Sequence, residues 1–268
     1  MNATYVKQAL LLLTLLLPLG TARAEVIVFV HGYMGSANSW TASGITSELG
    51  KAGWVHVGLP ATSDQPKADK SFYTVELPSL APVTMQAGWL KSIVDEISRN
   101  HPEENLTLVG HSAGGVVSRL MLIQHGIGQV ERLITIATPH LGTDRAIQAL
   151  QATDNSGMFG SIKKWAVKRK VGNHIYNTLQ HSRPLLADLA PPVPGTLLYW
   201  LNNQQHPDIE YISIVRSGSY NFAGDLLVPS FSQDMNWVPA LQGKSQVLVS
   251  VHGHELSPAD SFILLELL

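Results

Sequence analysis

The sequence predicts an α/β protein in which a mostly parallel central sheet is covered by helices on both faces. The apolar run at 26–30 has no polar interruption, which is typical of a strand buried on both faces, and further largely apolar runs follow with helical patterns between them. Because strands and helices alternate, right-handed β-α-β units are the expected connections. The expected strands cover residues 26–30, 54–59, 106–109, 132–137, 210–216 and 246–251.

Helices are expected where apolar residues recur at helical spacing, at 38–49, 85–100, 113–124 and 258–268. Residues 60–82 are rich in proline and polar side chains, so no regular element is predicted there. The alternating pattern breaks at 144–200, which contains a glycine-rich interruption, a basic patch and three prolines. We interpret 144–200 as a helical insertion that forms a cap or lid over the site, within one catalytic domain at 25–268.

The N-terminal residues differ from the rest of the chain and predict a signal peptide at 1–24. Lys7 supplies a positive charge, residues 9–17 are almost entirely apolar, and Ala22 and Ala24 form a small-x-small cleavage pattern. The apolar core is shorter than the roughly 20 residues that a spanning helix needs. The mature protein is therefore expected to be exported, either to the periplasm or to the medium.

Composition narrows the classes of function. The 268 residues contain no cysteine, which rules out disulfides and thiolate metal sites. A formal net charge of −2 does not indicate nucleic-acid binding. His252 and His254 lack an evident third ligand, so no metal site and no cofactor are predicted.

The central motif is a G-x-S-x-G at residues 110–114, which directly follows the predicted strand 106–109 and opens a helix. A sharp strand-to-helix turn requires small neighbours and holds its serine in a strained backbone conformation. The motif therefore predicts that Ser112 is exposed above the sheet edge as a nucleophile.

A serine hydroxyl needs a base, and the base needs an orienting carboxylate; in this arrangement the acid and then the histidine follow the serine along the chain. Asp225 and His254 each follow a predicted strand, where open α/β sheets place their sites. Asp234 is an alternative acid. His252 is an alternative base, since spacing alone cannot separate it from His254.

Two backbone amides are expected to stabilise an oxyanion. The Ala113 amide begins the helix after Ser112, and the Tyr33 amide lies in the glycine-containing loop after the first strand. His140 is expected to shape the wall beside this site.

The chain resembles the α/β-hydrolase superfamily and, within it, bacterial lipase-like and PGAP1-like serine hydrolases. The resemblance rests on VFVHGYMG at 28–35, VGHSAGG at 109–115 and TPHLGT at 138–143. It implies that Ser112, Asp225 and His254 form a catalytic triad and that Tyr33 and Ala113 form the oxyanion hole. Relatives with this oxyanion loop often act on medium or long acyl chains. Many secreted bacterial lipases carry a disulfide or a bound calcium, whereas this chain has no cysteine and no obvious counterpart of the calcium-binding acids.

The predicted function is hydrolysis of carboxylic esters, by an esterase or lipase route through an acyl-enzyme. The expected partner is a small-molecule ester or a lipid, with transient contact to a lipid surface. Two alternatives use the same sequence features: transfer of the acyl group to an alcohol or amine, and a catalytically silent member of the fold that binds a ligand.

Overall fold

The computed structural model describes residues 25–58, 68–156, 160–218 and 225–268. The predicted signal peptide at 1–24 lies outside these residues. Among the described helices, none is long and apolar enough to cross a bilayer.

A seven-stranded sheet forms the centre of the protein, and every neighbouring pair of strands is parallel. The order across the sheet is β2-β3-β1-β4-β5-β6-β7. Connections therefore run to one side of β1 first and then to the other, which creates a topological switch point between β1 and β4. The strands are β1 Glu25–Val30, β2 Val55–Gly58, β3 Lys70–Val75, β4 Asn105–His111, β5 Val130–Ile136, β6 Glu210–Arg216 and β7 Ser245–Ser250.

Helices cover both faces of the sheet, which confirms the predicted fold class. The helices are α1 Asn38–Ala42, α2 Ile45–Lys51, α3 Val83–Asn100, α4 Ala113–His125, α5 Asp144–Thr153, α6 Gly160–Val171, α7 Asn173–His181, α8 Arg183–Asp188, α9 Leu197–Asn202, α10 Ser230–Gln233 and α11 Ala259–Leu267. Single 3₁₀ turns occupy Met235–Trp237 and Pro239–Leu241.

Alternation along β1 explains why the sheet has an apolar core on each face. Val28 belongs to the cluster that contains the buried side chains of α3 and α4. Phe29 belongs to the other cluster, with Trp40 of α1 and Leu264 of α11. Successive side chains of a strand point to opposite faces, so an unbroken apolar strand needs a helical layer on each side.

The structure corrects two predicted elements. Residues 70–75, predicted to lie in a loop, form β3 and pair with both β1 and β2. Phe72 and Tyr73 enter opposite cores, because aromatic and β-branched residues suit a strand even between Pro-rich segments. The predicted helix 38–49 is two helices, since Gly44 adopts a positive φ of 85° between α1 and α2.

The region 144–200 connects β5 to β6 and contains α5 to α9, of which the last ends at Asn202. Its helices pack mainly on one another, and Leu185, Leu198 and Leu201 join the core on the α3 and α4 face. This helical layer lies beside the carboxyl ends of the strands, where the predicted site residues are found.

Candidate active site

Ser112 occupies the turn between β4 and α4, with φ of 50° and ψ of −124°. A positive φ is unusual for a residue with a side chain and stores local strain. The turn closes tightly: a Cβ atom on Gly110 would lie 2.6 Å from the Cα of Gly115. Small residues are therefore a steric requirement of the turn that presents the Ser112 hydroxyl.

Three side chains that are far apart in the sequence meet at this turn. The Nε2 atom of His254 lies 3.0 Å from the Ser112 Oγ, and its Nδ1 atom lies 2.8 Å from the Asp225 Oδ2. A carboxylate can only accept hydrogen bonds, so the Nδ1 atom of His254 donates its hydrogen to Asp225. The Nε2 atom is then unprotonated and can accept the proton of Ser112. This geometry matches that of a nucleophile, a base and an orienting acid.

Asp225 is held as a carboxylate by several donors. Its Oδ1 accepts hydrogen bonds from the Leu227 and Val228 amides at 2.7 and 2.6 Å, and its Oδ2 accepts one from Gln233 at 3.2 Å. Burial acts to raise the pKa of Asp225, but His254 and the two amides outweigh burial, so the pKa lies below its ordinary value. The carboxylate therefore stays ionised and can orient His254 near neutral pH.

The alternative acid and base take other places. Asp234 accepts a hydrogen bond from the Asn236 amide and caps the 3₁₀ turn that follows it. Within the described residues, the ring that joins Ser112 to Asp225 belongs to His254, whereas no hydrogen bond connects His252 to either of them. The geometry thus distinguishes candidates that spacing alone could not.

The loop after β1 lies against the nucleophile. A Cβ atom on Gly32 would lie 2.9 Å from the Ser112 Cβ, so only glycine permits this approach. The Tyr33 hydroxyl bonds to the Ser182 Oγ at 2.7 Å, which fixes the ring against the insertion. In the described part of the chain, no acceptor is recorded for the amides of Tyr33 or Ala113. Both amides remain available to an oxyanion beside Ser112.

A cavity of about 760 Å³ opens beside Ser112 and His254. Helices α5, α7 and α8 of the insertion contribute much of its apolar lining, and Arg145 adds a guanidinium group. The aliphatic lining includes Ala146, Ala149, Leu179, Leu186 and Leu189. A cavity of this size and composition fits an aliphatic chain.

The loop that carries His254 is held by buried polar groups. The His111 Nε2 atom donates to the His254 carbonyl oxygen at 2.9 Å. Burial, and next the charge of His254, lower the pKa of His111 to about 3, so the ring is neutral. Arg216 pairs with Asp260, whose Oδ2 also accepts the Ser257 amide at 2.9 Å. The one sequence signal for this support is a charged residue, Arg216, at the end of an apolar strand.

His140 does not form the wall of the cavity as predicted. Its side chain is fully buried and accepts a hydrogen bond from Arg119 at 3.2 Å. The misassignment arose because sequence position places His140 after β5, near the site, but does not show which way the ring points. No group of metal-ligating side chains occurs among the described residues.

Solved structures of similar fold include several bacterial hydrolases. Mature lipase BlEst2 of Bacillus licheniformis aligns with a TM-score of 0.60 and 18% identity over 92% of this chain and 91% of its own. The Exiguobacterium antarcticum esterase EaEST aligns with a TM-score of 0.53 and 16% identity, covering 91% of each chain. The Rhodococcus esterase RhEst1 aligns with a TM-score of 0.52 and 16% identity, covering 92% of this chain and 90% of its own. These TM-scores establish a shared fold.

None of the curated proteins is similar enough to this chain to count as a match. The family model for the PGAP1-like alpha/beta domain, in contrast, matches residues 21–164, more than half of the chain. That range contains β1 to β5, the loop of Tyr33 and the turn of Ser112. The protein therefore belongs to the PGAP1-like α/β-domain family, as its sequence motifs indicated.

Proposed function

We propose that this protein is a serine hydrolase that cleaves carboxylic esters through an acyl-enzyme on Ser112. The observation that carries the proposal is the continuous chain from the Ser112 Oγ through both nitrogens of His254 to Asp225, at 3.0 and 2.8 Å. Neighbouring folds described as lipases and esterases support the same reaction class.

In the first half of the reaction, the Ser112 Oγ bonds to the carbonyl carbon while its proton passes to the His254 Nε2. The carbonyl oxygen becomes an oxyanion, which the amides of Tyr33 and Ala113 stabilise. The carbon–oxygen bond to the alcohol then breaks, and His254 gives its proton to the departing oxygen. Asp225 stays ionised and stabilises the imidazolium.

In the second half, His254 takes a proton from water, whose oxygen attacks the acyl carbon. Collapse of the second tetrahedral intermediate returns the proton to Ser112 and releases the carboxylic acid. The apolar cavity accommodates the acyl part of the ester, which favours medium or long aliphatic chains over acetate.

The test is hydrolysis of p-nitrophenyl esters with acyl chains from acetate to palmitate. Wild type should turn over with a preference for the longer chains, and Ser112→Ala should lower kcat by about 10⁴-fold or more. Ser98→Ala, in the last turn of α3 and outside the cavity lining, serves as the control and should keep full activity. Unchanged turnover in Ser112→Ala would contradict the proposal, and a product ester formed from an added alcohol would identify acyl transfer instead.

We further propose that the chain is exported and that residues 1–24 are removed. The charged, apolar and small-residue segments of the N-terminus support this. N-terminal sequencing of protein recovered from a secreting host should begin at Glu25; an intact Met1 would contradict it.

A further inference from the structure

The insertion carries a pronounced concentration of positive charge. Between Asn155 and Ala187 the sequence has six lysine or arginine residues and no aspartate or glutamate, in a chain with a formal net charge of −2. Four of these basic residues lie in the described part of α6: Lys164, Lys168, Arg169 and Lys170. Like charges at this density repel one another, so an anionic partner would relieve the repulsion.

An aromatic side chain stands within this basic surface. Trp165 is 62% exposed, and the Arg169 Cζ lies 5.4 Å from its ring centroid. The Lys168 Nζ similarly lies 5.2 Å from the ring of Tyr176. Lys164 and Lys170 are exposed and form no ion pair with any described residue. Tryptophan is enriched at the interface of lipid bilayers, and exposed basic side chains are attracted to anionic headgroups.

The position of α6 connects this surface to the candidate active site. Helix α6 packs against α5 and α7. The same two helices line the cavity through Ala149 and Leu179, and α7 also carries an exposed isoleucine, Ile175. A surface bound through α6 would therefore lie close to the mouth of the cavity.

We propose that α6 docks the protein on anionic lipid surfaces, with Lys164 and Lys170 contacting headgroup phosphates and Trp165 inserted at the boundary with the acyl chains. The exposed indole of Trp165 and the exposed Ile175 of the adjoining helix α7 favour a bilayer over a nucleic acid, which offers no apolar layer. Docking is a binding property of the helix and does not require turnover at Ser112.

Binding is measured by co-sedimentation with vesicles of phosphatidylcholine alone or with 30% phosphatidylglycerol. The Ser112→Ala protein is used throughout, so that no lipid is consumed. Binding should require the anionic lipid and weaken as salt rises. Lys164→Gln/Lys170→Gln should bind about thirty-fold more weakly, because each basic residue contributes about fivefold to binding near such a surface.

The matched control is Arg99→Gln/Lys244→Gln, which removes the same charge in the last turn of α3 and directly before β7. It should bind as the parent protein does, whereas Trp165→Ala should bind more weakly and keep its salt dependence. Thermal unfolding checks that every variant is folded. The proposal would be overturned if the protein bound both kinds of vesicle equally, or if the control variant lost as much vesicle binding as Lys164→Gln/Lys170→Gln. Binding to a single-stranded oligonucleotide without binding to vesicles would also overturn it.

Discussion

Arg119 and Arg216 are both fully buried, yet their guanidinium groups have different surroundings. Arg216 forms a two-pronged ion pair with Asp260, at 2.7 and 2.8 Å. Arg119 has no carboxylate partner among the described residues; it donates to His140, His206 and Asn202 at 2.9 to 3.2 Å. One cation is neutralised, whereas the other is surrounded by neutral acceptors.

The two arrangements connect different parts of the molecule. Arg216 and Asp260 join the end of β6 to α11 and so fix the loop that carries His254. Arg119 joins the nucleophile helix α4 to α9 of the insertion, through Asn202. Burial lowers the pKa of Arg119 to about 9, which leaves it charged at neutral pH. Neutral acceptors around Arg119 thus suffice to join two helices, whereas the loop that carries His254 is held by opposite charges.

The largest effect is expected for Asp260→Asn. The substitution preserves shape but leaves the Arg216 guanidinium buried without a counter-charge, which should lower the free energy of unfolding by about 3–5 kcal/mol. Urea denaturation measures this loss, and kcat should fall because the His254 loop loses its support. A loss below about 1 kcal/mol would show that the ion pair does not hold the loop that carries His254.

Arg119→Met should cost less, about 1–3 kcal/mol, since it leaves buried neutral acceptors without donors but no unpaired charge. The same denaturation series provides the comparison. If Arg119→Met proved more destabilising than Asp260→Asn, the hydrogen bonds of Arg119 to neutral acceptors would stabilise the protein more than the ion pair of Arg216 and Asp260 does.

Acid should weaken the region around Arg119. Burial, and next the Arg119 charge, lower the pKa of His206 to about 3, whereas an unfolded histidine titrates near 6.5. Between these values the unfolded chain binds more protons, so stability falls as pH decreases. Relative to neutral pH, this effect of His206 should lower the free energy of unfolding by about 1 kcal/mol at pH 5.5. A series of urea denaturation midpoints at different pH values measures the loss. The slope should be shallower in Arg119→Met, and an identical slope would contradict the role of Arg119.

The smallest effect is expected at an exposed pair. Lys91 contacts Asp95 one helical turn away on α3, at 2.5 Å. Lys91→Met should change stability by only about 0.3–0.5 kcal/mol, because water and salt screen the charges. This variant is the solvent-exposed reference for Asp260→Asn, and a loss comparable to that of the buried pair would remove the distinction between them.

Much of the fold could be predicted because its signals are local. Apolar runs, unbroken in β1 and largely apolar in β4 and β5, indicated these strands, and the small residues around Ser112 indicated the strand-to-helix turn. The strand β3 was missed because its Pro-rich flanks suggested a loop, and its role depends on pairing with β1 and β2. Long-range pairing leaves little trace in a short segment.

Sequence alone identified the residue types of the candidate site and their order along the chain, since Ser112, Asp225 and His254 each follow a strand of the same parallel sheet. Tertiary structure decided which histidine reaches Ser112 and which buried charges hold it. Arg216 and Asp260 are 44 residues apart, and Arg119 and His206 are 87 apart. A contact across such separations depends on how the helices pack on the sheet, and no local pattern of residues specifies that packing.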